Sequence, residues 1–149
     1  MKREHLIILM KNYRDPTKQD SKSPNFECAD LSGEDLSGLD LSGLDLSYAN
    51  FVGAILNETN FEGSNLSNTN FNGAELVGAN LSKTKLYGAD FEDANLSGVN
   101  FIEANLIGTN FFDADFFRVN LSKATLLRED IKNVKNIDSA ILNTAIFKD

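Results

Sequence analysis

A large apolar residue returns at every fifth position through most of this chain. Leu, Phe or Ile occupies 22 such positions in one register, from Phe26 to Ile131. One extra residue then shifts the frame between 131 and 137, and Ile137, Leu142 and Phe147 continue the beat. A helix repeats near 3.6 residues and a strand at 2.0, so a period of five belongs to neither alone. We call the large residue the centre. Two residues before it lie 21 positions from Ala29 to Glu129, and 17 of them hold Ala, Ser, Thr or Val. The exceptions are Glu34, Leu39, Leu44 and Glu129. Asp or Asn usually precedes the centre directly. All ten glycines, from Gly33 to Gly108, lie two residues after a centre.

A five-residue unit buries nothing alone, so the chain has to be read as a repeat architecture. The small residue and the centre are two apart and point the same way in an extended segment. The other three positions must turn the chain. Glycine accepts the positive φ that tight turns demand, and Asp, Asn and Ser bond to nearby backbone. Each unit is then a short extended edge followed by a corner. Four edges close into a square coil, and stacked coils bury the centres along one axis.

A square coil predicts a second period of 20 residues. Every fourth centre gives Leu46, Leu66, Leu86, Leu106 and Leu126 in one column, and Phe51, Phe71, Phe91 and Phe111 in the next. A third column reads Leu36, Leu56, Leu76, Leu96 and Phe116, and the fourth mixes Leu41, Phe61, Leu81, Phe101 and Leu121. Residue type sorts by column, for which a disordered low-complexity tract has no reason.

Units such as Ala29-Asp30-Leu31-Ser32-Gly33 and Ala94-Asn95-Leu96-Ser97-Gly98 resemble the A(D/N)LXX pattern of the pentapeptide repeat family. The resemblance runs over residues 25 to 149 and implies an all-β solenoid, the right-handed quadrilateral parallel β-helix of that family. Four pentapeptides per coil give roughly six coils and a rod of about 30 Å at the usual strand spacing. The resemblance implies little about activity, because a fold does not set a function.

Residues 1 to 24 carry no repeat and form a separate N-terminal segment. A solenoid end exposes apolar centres and unpaired edges unless it is capped. A short helix around His5 to Tyr13 over the first coil is one expectation, with Leu39 and Leu44 shaped to receive it; a partly ordered tail is the other. At the far end the sequence stops within the repeat, so Leu142 and Phe147 are expected on a last coil with little to cover them. Either two such ends pack together as a homodimer or the coil frays. Gyrase-inhibiting members of the family dimerise through a C-terminal helical segment that this sequence does not show.

The chemistry of catalysis is missing from the repeat. The sole histidine, His5, lies outside it, which rules out a His-based triad on the solenoid. One Cys and one His make no ordinary zinc site. No Walker motif is present, and corners account for the glycines. We therefore expect no enzyme, no cofactor and no metal. Cys28 stands alone, so an internal disulfide is impossible and a reducing compartment is compatible. The apolar run Leu6 to Met10 falls far short of the about 20 residues of a membrane span, and Lys11 and Asn12 follow where a signal cleavage site would be sought. A soluble cytoplasmic protein is expected, with no membrane contact. Inward Thr59, Thr69, Thr84 and Thr109 leave no outward threonine rows for binding ice.

Function must then lie on the outer surface, which offers two features. The first is charge. Residues 1 to 24 hold six Lys/Arg and three Asp/Glu, so the repeat carries −11 of a chain whose net charge is −8. Asp30, Asp35, Asp40 and Asp45 place one acid on each side of the first full coil, and Asp90, Glu92, Asp93 and Asp113 gather on one side. An acidic rod imitates duplex DNA, and gyrase-inhibiting family members are understood as mimics of this kind. Acidic turn residues that keep a β-protein soluble are the plainer explanation. Direct nucleic-acid binding is not expected. The second feature is apolar. The residue after the centre is usually polar, yet Ile102, Ile107, Phe112 and Phe117 follow one another around one coil. Tyr87, Ile107 and Leu127 share one outward column. A contiguous apolar belt marks an interface, unless bulges near the frame shift bury it. The expectation is a non-enzymatic protein-interaction scaffold using Tyr87, Ile102, Ile107, Phe112, Phe117, Leu127, Leu142 and Phe147. The alternative is an acidic, DNA-mimicking inhibitor of a type II topoisomerase.

Overall fold

A computed structural model describes residues 1–14 and 26–148, with the side chains of 9–14 outside the description. The repeat folds unit by unit. Ala29 N–H donates to the Phe26 carbonyl at 3.0 Å, and Ala54 N–H to that of Phe51 at 2.9 Å, so a turn closes immediately after the centre. Its third residue has positive φ, as in Gly33 at +65° and Gly98 at +69°. Non-glycine residues hold the same place elsewhere, among them Tyr48, Glu58, Asn68, Lys83, Asp93 and Glu103 at φ between 56° and 61°. The Asp or Asn before the centre braces the corner, its Oδ1 accepting the N–H two residues on: Ser32 N–H to Asp30 at 3.2 Å, Phe112 N–H to Asn110 at 3.0 Å.

Between corners the residue before each centre forms a parallel bridge to its counterpart one coil away: Asp30 with Asn50, Asp35 with Ile55, Asp40 with Asn60, Asp45 with Asn65. The spacing is 20 residues up to the pair of Asp115 with Lys135; beyond the frame shift Asn120 pairs with Ile141, a spacing of 21. The bridges run in four columns, which gives the rod four sides. The first has centres Leu31, Phe51, Phe71, Phe91 and Phe111; the second Leu36, Leu56, Leu76, Leu96 and Phe116. The third has Leu41, Phe61, Leu81, Phe101 and Leu121; the fourth Leu46, Leu66, Leu86, Leu106 and Leu126. All these centres are buried. On the fourth side the bridge lengthens into β1 (Thr125–Leu127) and β2 (Ile146–Lys148), paired in parallel.

Column sorting becomes ring stacking in the core. Phe51 and Phe71 lie face to face at 5.1 Å and 2°, Phe71 and Phe91 at 4.5 Å and 3°, and Phe91 and Phe111 at 5.4 Å and 16°. Stacked coils sit about 4.8 Å apart, which is near the favoured separation of offset rings. Phe61 and Phe101 of the third side meet this stack edge-on at 5.9 to 6.2 Å. The inward threonines are buried and satisfied by backbone carbonyls: Thr59 Oγ1 donates to Leu36 and Thr69 Oγ1 to Leu46, both at 3.0 Å.

Helix α1 spans Arg3–Arg14. Its Leu6 is fully buried in the same core cluster as Phe26 and Leu31. Arg3 ties the helix start to the first coil: its N–H donates to Glu34 Oε2 at 3.1 Å and its Nη1 to the Asp35 carbonyl at 2.9 Å. This gives a reason for Glu34 at a position where small residues are usual. Leu44 is buried and Leu39 half-buried against the core. The fourth exception, Glu129, lies in a 3-10 helix, Arg128–Ile131, that replaces the extended edge of the first side at the last coil. The inward residues beyond it, Ile137, Leu142 and Phe147, are half-buried against the core.

Candidate interaction surface

Turns put the residue after each centre on the outside of a corner, so its exposure is set by local packing. Phe112, on the first side, is 49% exposed, and Phe117, on the second, 44%. Tyr87 on the fourth side is 59% exposed. Ile102 on the third side, and Ile107 and Leu127 on the fourth, are half-buried. The apolar belt therefore encircles the rod. Phe112 and Ile102 face opposite ways, as do Phe117 and Ile107, and no flat partner covers all four. Phe112 and Phe117 project from adjacent sides. Arg118 covers the Phe117 ring at 5.0 Å, and Arg128 covers that of Phe147 at 4.5 Å.

Phe112 borders a cleft of about 210 Å³, lined with it by Thr109, Asn110, Phe111, Glu129, Asp130 and Asn133. The 3-10 helix forms the far wall. Asp130 accepts the Leu127 N–H at 2.8 Å and a bond from the Gly108 backbone, while burial, the larger influence, raises its carboxyl above the ordinary value. Nothing in the sequence announces this cleft beyond the break in the small-residue rule at Glu129.

The acidic residues fall into two groups. Three of the four aspartates of the first coil, Asp30, Asp40 and Asp45, belong to side-chain ladders, whereas Asp35 faces Ile55 one coil on and lies 3.8 Å from Arg3 Nη1. Asn50 Nδ2 donates to Asp30, Asn60 to Asp40 and Asn65 to Asp45, at 3.0 to 3.1 Å. Hydrogen bonds from Ser32, Ser37 and Ser47 hold the carboxyls of Asp30, Asp35 and Asp45 below their ordinary range. An aspartate accepts but cannot donate, so it suits the base of a ladder whose later rungs are Asn.

The second group lies around the first side. Asp90 Oδ1 accepts the Glu92 N–H at 3.1 Å and Asn110 Nδ2 at 2.9 Å. Asp93 is exposed at the positive-φ position, and Asp113, one coil on, lies 4.0 Å from Lys135 Nζ. The third side is instead neutralised by Lys83 with Glu62 at 2.7 Å and Lys123 with Glu103 at 3.1 Å.

Cys28 is exposed at a corner, and His5 is exposed on α1. Among the described residues no group of three or more His, Cys, Asp or Glu could hold a metal ion, and no helix is long and apolar enough to cross a membrane.

Comparison with known proteins places this architecture. No curated protein matches the sequence. The family model for pentapeptide repeats matches in 8 copies, over residues 25–63, 54–93 and 94–126. Solved structures also align. A pentapeptide repeat protein of the Arabidopsis thaliana thylakoid lumen is 30% identical with a TM-score of 0.56, over 73% of this chain and 88% of that one. HetL of the cyanobacterium Nostoc, a pentapeptide repeat protein involved in heterocyst differentiation regulation, is 27% identical with a TM-score of 0.62. That alignment covers 85% of this chain, which spans only 60% of HetL. Right-handed quadrilateral β-helices are the known form of such neighbours. The chain belongs to the pentapeptide repeat family.

Proposed function

We propose that this protein is a non-enzymatic interaction scaffold that binds partner proteins through outward side chains of the coil at 102–117. The observation that carries this reading is the pair of exposed phenylalanines, Phe112 and Phe117, on adjacent sides of one coil, whereas every phenylalanine at a centre within residues 26–116 is buried. Exposed aromatic side chains on a rigid frame have the character of binding hot spots. The half-buried Leu142 and Phe147 of the last coil are the second surface in this reading, used between two copies. The cytoplasm is its proposed site of action.

A second reading is an acidic, DNA-mimicking inhibitor of a type II topoisomerase. The −11 charge of the repeat favours it, and so does the gathering of Asp90, Glu92, Asp93 and Asp113 around the first side. Against it, Asp90 is bonded into a side-chain ladder and Asp113 lies near Lys135, both of which are turn or packing roles.

A pull-down from native lysate at low and high salt separates the two. The scaffold loses its partners in F112S/F117S and keeps them in D90N/E92Q/D93N/D113N. Capture of a topoisomerase only at low salt, abolished by the acid replacements and competed by duplex DNA, overturns the scaffold reading.

A further inference from the structure

The ladder of the first side is missing one rung. Each earlier coil on this side is tied to the next by three backbone bonds, one of them from the positive-φ residue, as in Gly73 N–H to Glu92 at 2.9 Å and Asp93 N–H to Phe112 at 3.0 Å. The centre N–H reaches the carbonyl of the residue before the next centre: Phe71 to Asp90 at 2.7 Å, Phe91 to Asn110 at 2.8 Å. That residue's own N–H returns to the carbonyl of the small residue: Asp90 to Thr69 and Asn110 to Ala89, both at 2.9 Å. At the next step the 3-10 helix Arg128–Ile131 has drawn the chain away. The Phe111 N–H and the Thr109 carbonyl are then left without a partner among the described residues, while the Asp113 N–H still reaches the Asn133 carbonyl at 2.9 Å and closes the far side of the gap. The other three sides continue across the same coil, with Leu106 N–H to Thr125, Phe116 to Lys135 and Leu121 to Ile141. The vacancy is one rung wide, and it opens into the cleft beside Phe112.

We infer that this gap is a docking point for an extended, basic segment of a partner protein, one residue of which completes the broken ladder. Its N–H donates to the Thr109 carbonyl and its carbonyl accepts the Phe111 N–H, as Asn110 does one coil earlier with Ala89 and Phe91. Strand addition of this kind takes affinity from main-chain bonds and specificity from flanking side chains. The side chain of that residue lies outward over Asn110, between Glu129 and Asp130, with Glu92 one coil below Phe112 on the same column. Two carboxylates on the 3-10 wall, Glu129 and Asp130, and the aromatic wall of Phe112 select a Lys or Arg, whose aliphatic stem rests on Phe112 and whose charge meets the carboxylates. The cleft of about 210 Å³ accommodates one such residue and not a whole coil. This deepens the scaffold reading and rests on it.

Amide exchange and chemical-shift titration on the ¹⁵N-labelled protein test it. In the free protein the Phe111 amide exchanges much faster than that of Phe91. The probe is acetyl-Ser-Val-Lys-Val-Ser-amide, added up to about 5 mM. It shifts the Phe111 and Phe112 amides saturably and slows Phe111 exchange. Binding falls about tenfold or more when the Lys amide is N-methylated, when Lys is replaced by Glu, and in F112S. A Phe111 amide already as protected as that of Phe91 overturns the inference. So does an N-methylated peptide that binds equally well, or the absence of any shift at the highest concentration. If partner capture fails in F112S/F117S while Phe111 exchange never responds, the scaffold reading stands and the strand-docking mode alone is refuted.

Discussion

Replacing Phe71 by Leu probes the aromatic column that runs through the core. The ring is fully buried, faces Phe51 at 5.1 Å and Phe91 at 4.5 Å, and meets Phe61 edge-on at 6.2 Å. Three ring contacts at about 0.5–1.5 kcal/mol each are lost, or roughly 1.5–4.5 kcal/mol in all. The volume left behind adds about 0.5 kcal/mol, since Leu refills most of the space. We expect F71L to be destabilised by about 2–5 kcal/mol in urea unfolding followed by far-UV circular dichroism. Phe26 offers the control: it is as deeply buried, yet has no ring partner among the described residues, so F26L should lose only about 0.5–1.5 kcal/mol. A double-mutant cycle sharpens the comparison. F71L and F91L should couple by about 0.5–1.5 kcal/mol, whereas F51L and F91L, two coils apart, should add within about 0.5 kcal/mol. Equal losses in F71L and F26L, or equal coupling in the two cycles, would refute the claim that stacking along the column stabilises the rod.

Acid sensitivity follows from the first coil. The lowered carboxyls of Asp30, Asp35 and Asp45 contribute stability that is present above the ordinary value of 3.8 and lost as pH falls through their folded values. D30N/D35N/D45N should therefore flatten the acid limb of a melting-temperature profile, and an unchanged limb sinks the assignment. Asp130 has the opposite sign, because its raised carboxyl removes stability as pH rises. The corners make a second prediction. At Gly98 an added Cβ comes no closer than 3.9 Å to its neighbours, so G98A isolates the left-handed backbone and should lose about 1 kcal/mol net. Tyr48 holds the same geometry at φ 59°, and Y48G should gain about 0.5 kcal/mol; thermal melts that reverse these signs contradict the corner model.

Much of this molecule can be read from its letters because the coil repeats one physical problem. A fifth-residue beat is visible wherever each edge must bury one large side chain, and Leu46, Leu66 and Leu86 sort into a column because identical rings or branches stack on themselves. The corners were only half legible. Glycine advertises positive φ, whereas Tyr48, Glu58 and Arg118 take the same backbone with no compositional mark. The four aspartates of the first coil look like a charge signal in sequence, yet three of them, Asp30, Asp40 and Asp45, serve as acceptors at the base of side-chain ladders. The belt at 102–117 was visible as four residues, one on each side of a coil, but not that Phe112 and Phe117 are exposed while Ile102 and Ile107 are half-buried. The 3-10 helix left only Glu129 at a small-residue position as its mark, since Asp130 and Ile131 keep the frame of the preceding units. A break in a periodic fold need not break the period of the sequence.

The side-chain ladders also have a direction. The amide donor always belongs to the later coil and the acceptor to the earlier one, from Asn50 on Asp30 to Asn136 on Asp115. A nascent chain that has finished one turn thus presents a ready row of acceptors to the next turn leaving the ribosome. Assembly can proceed in the order of synthesis, each new layer templated by the one beneath, without waiting for residues still to be translated.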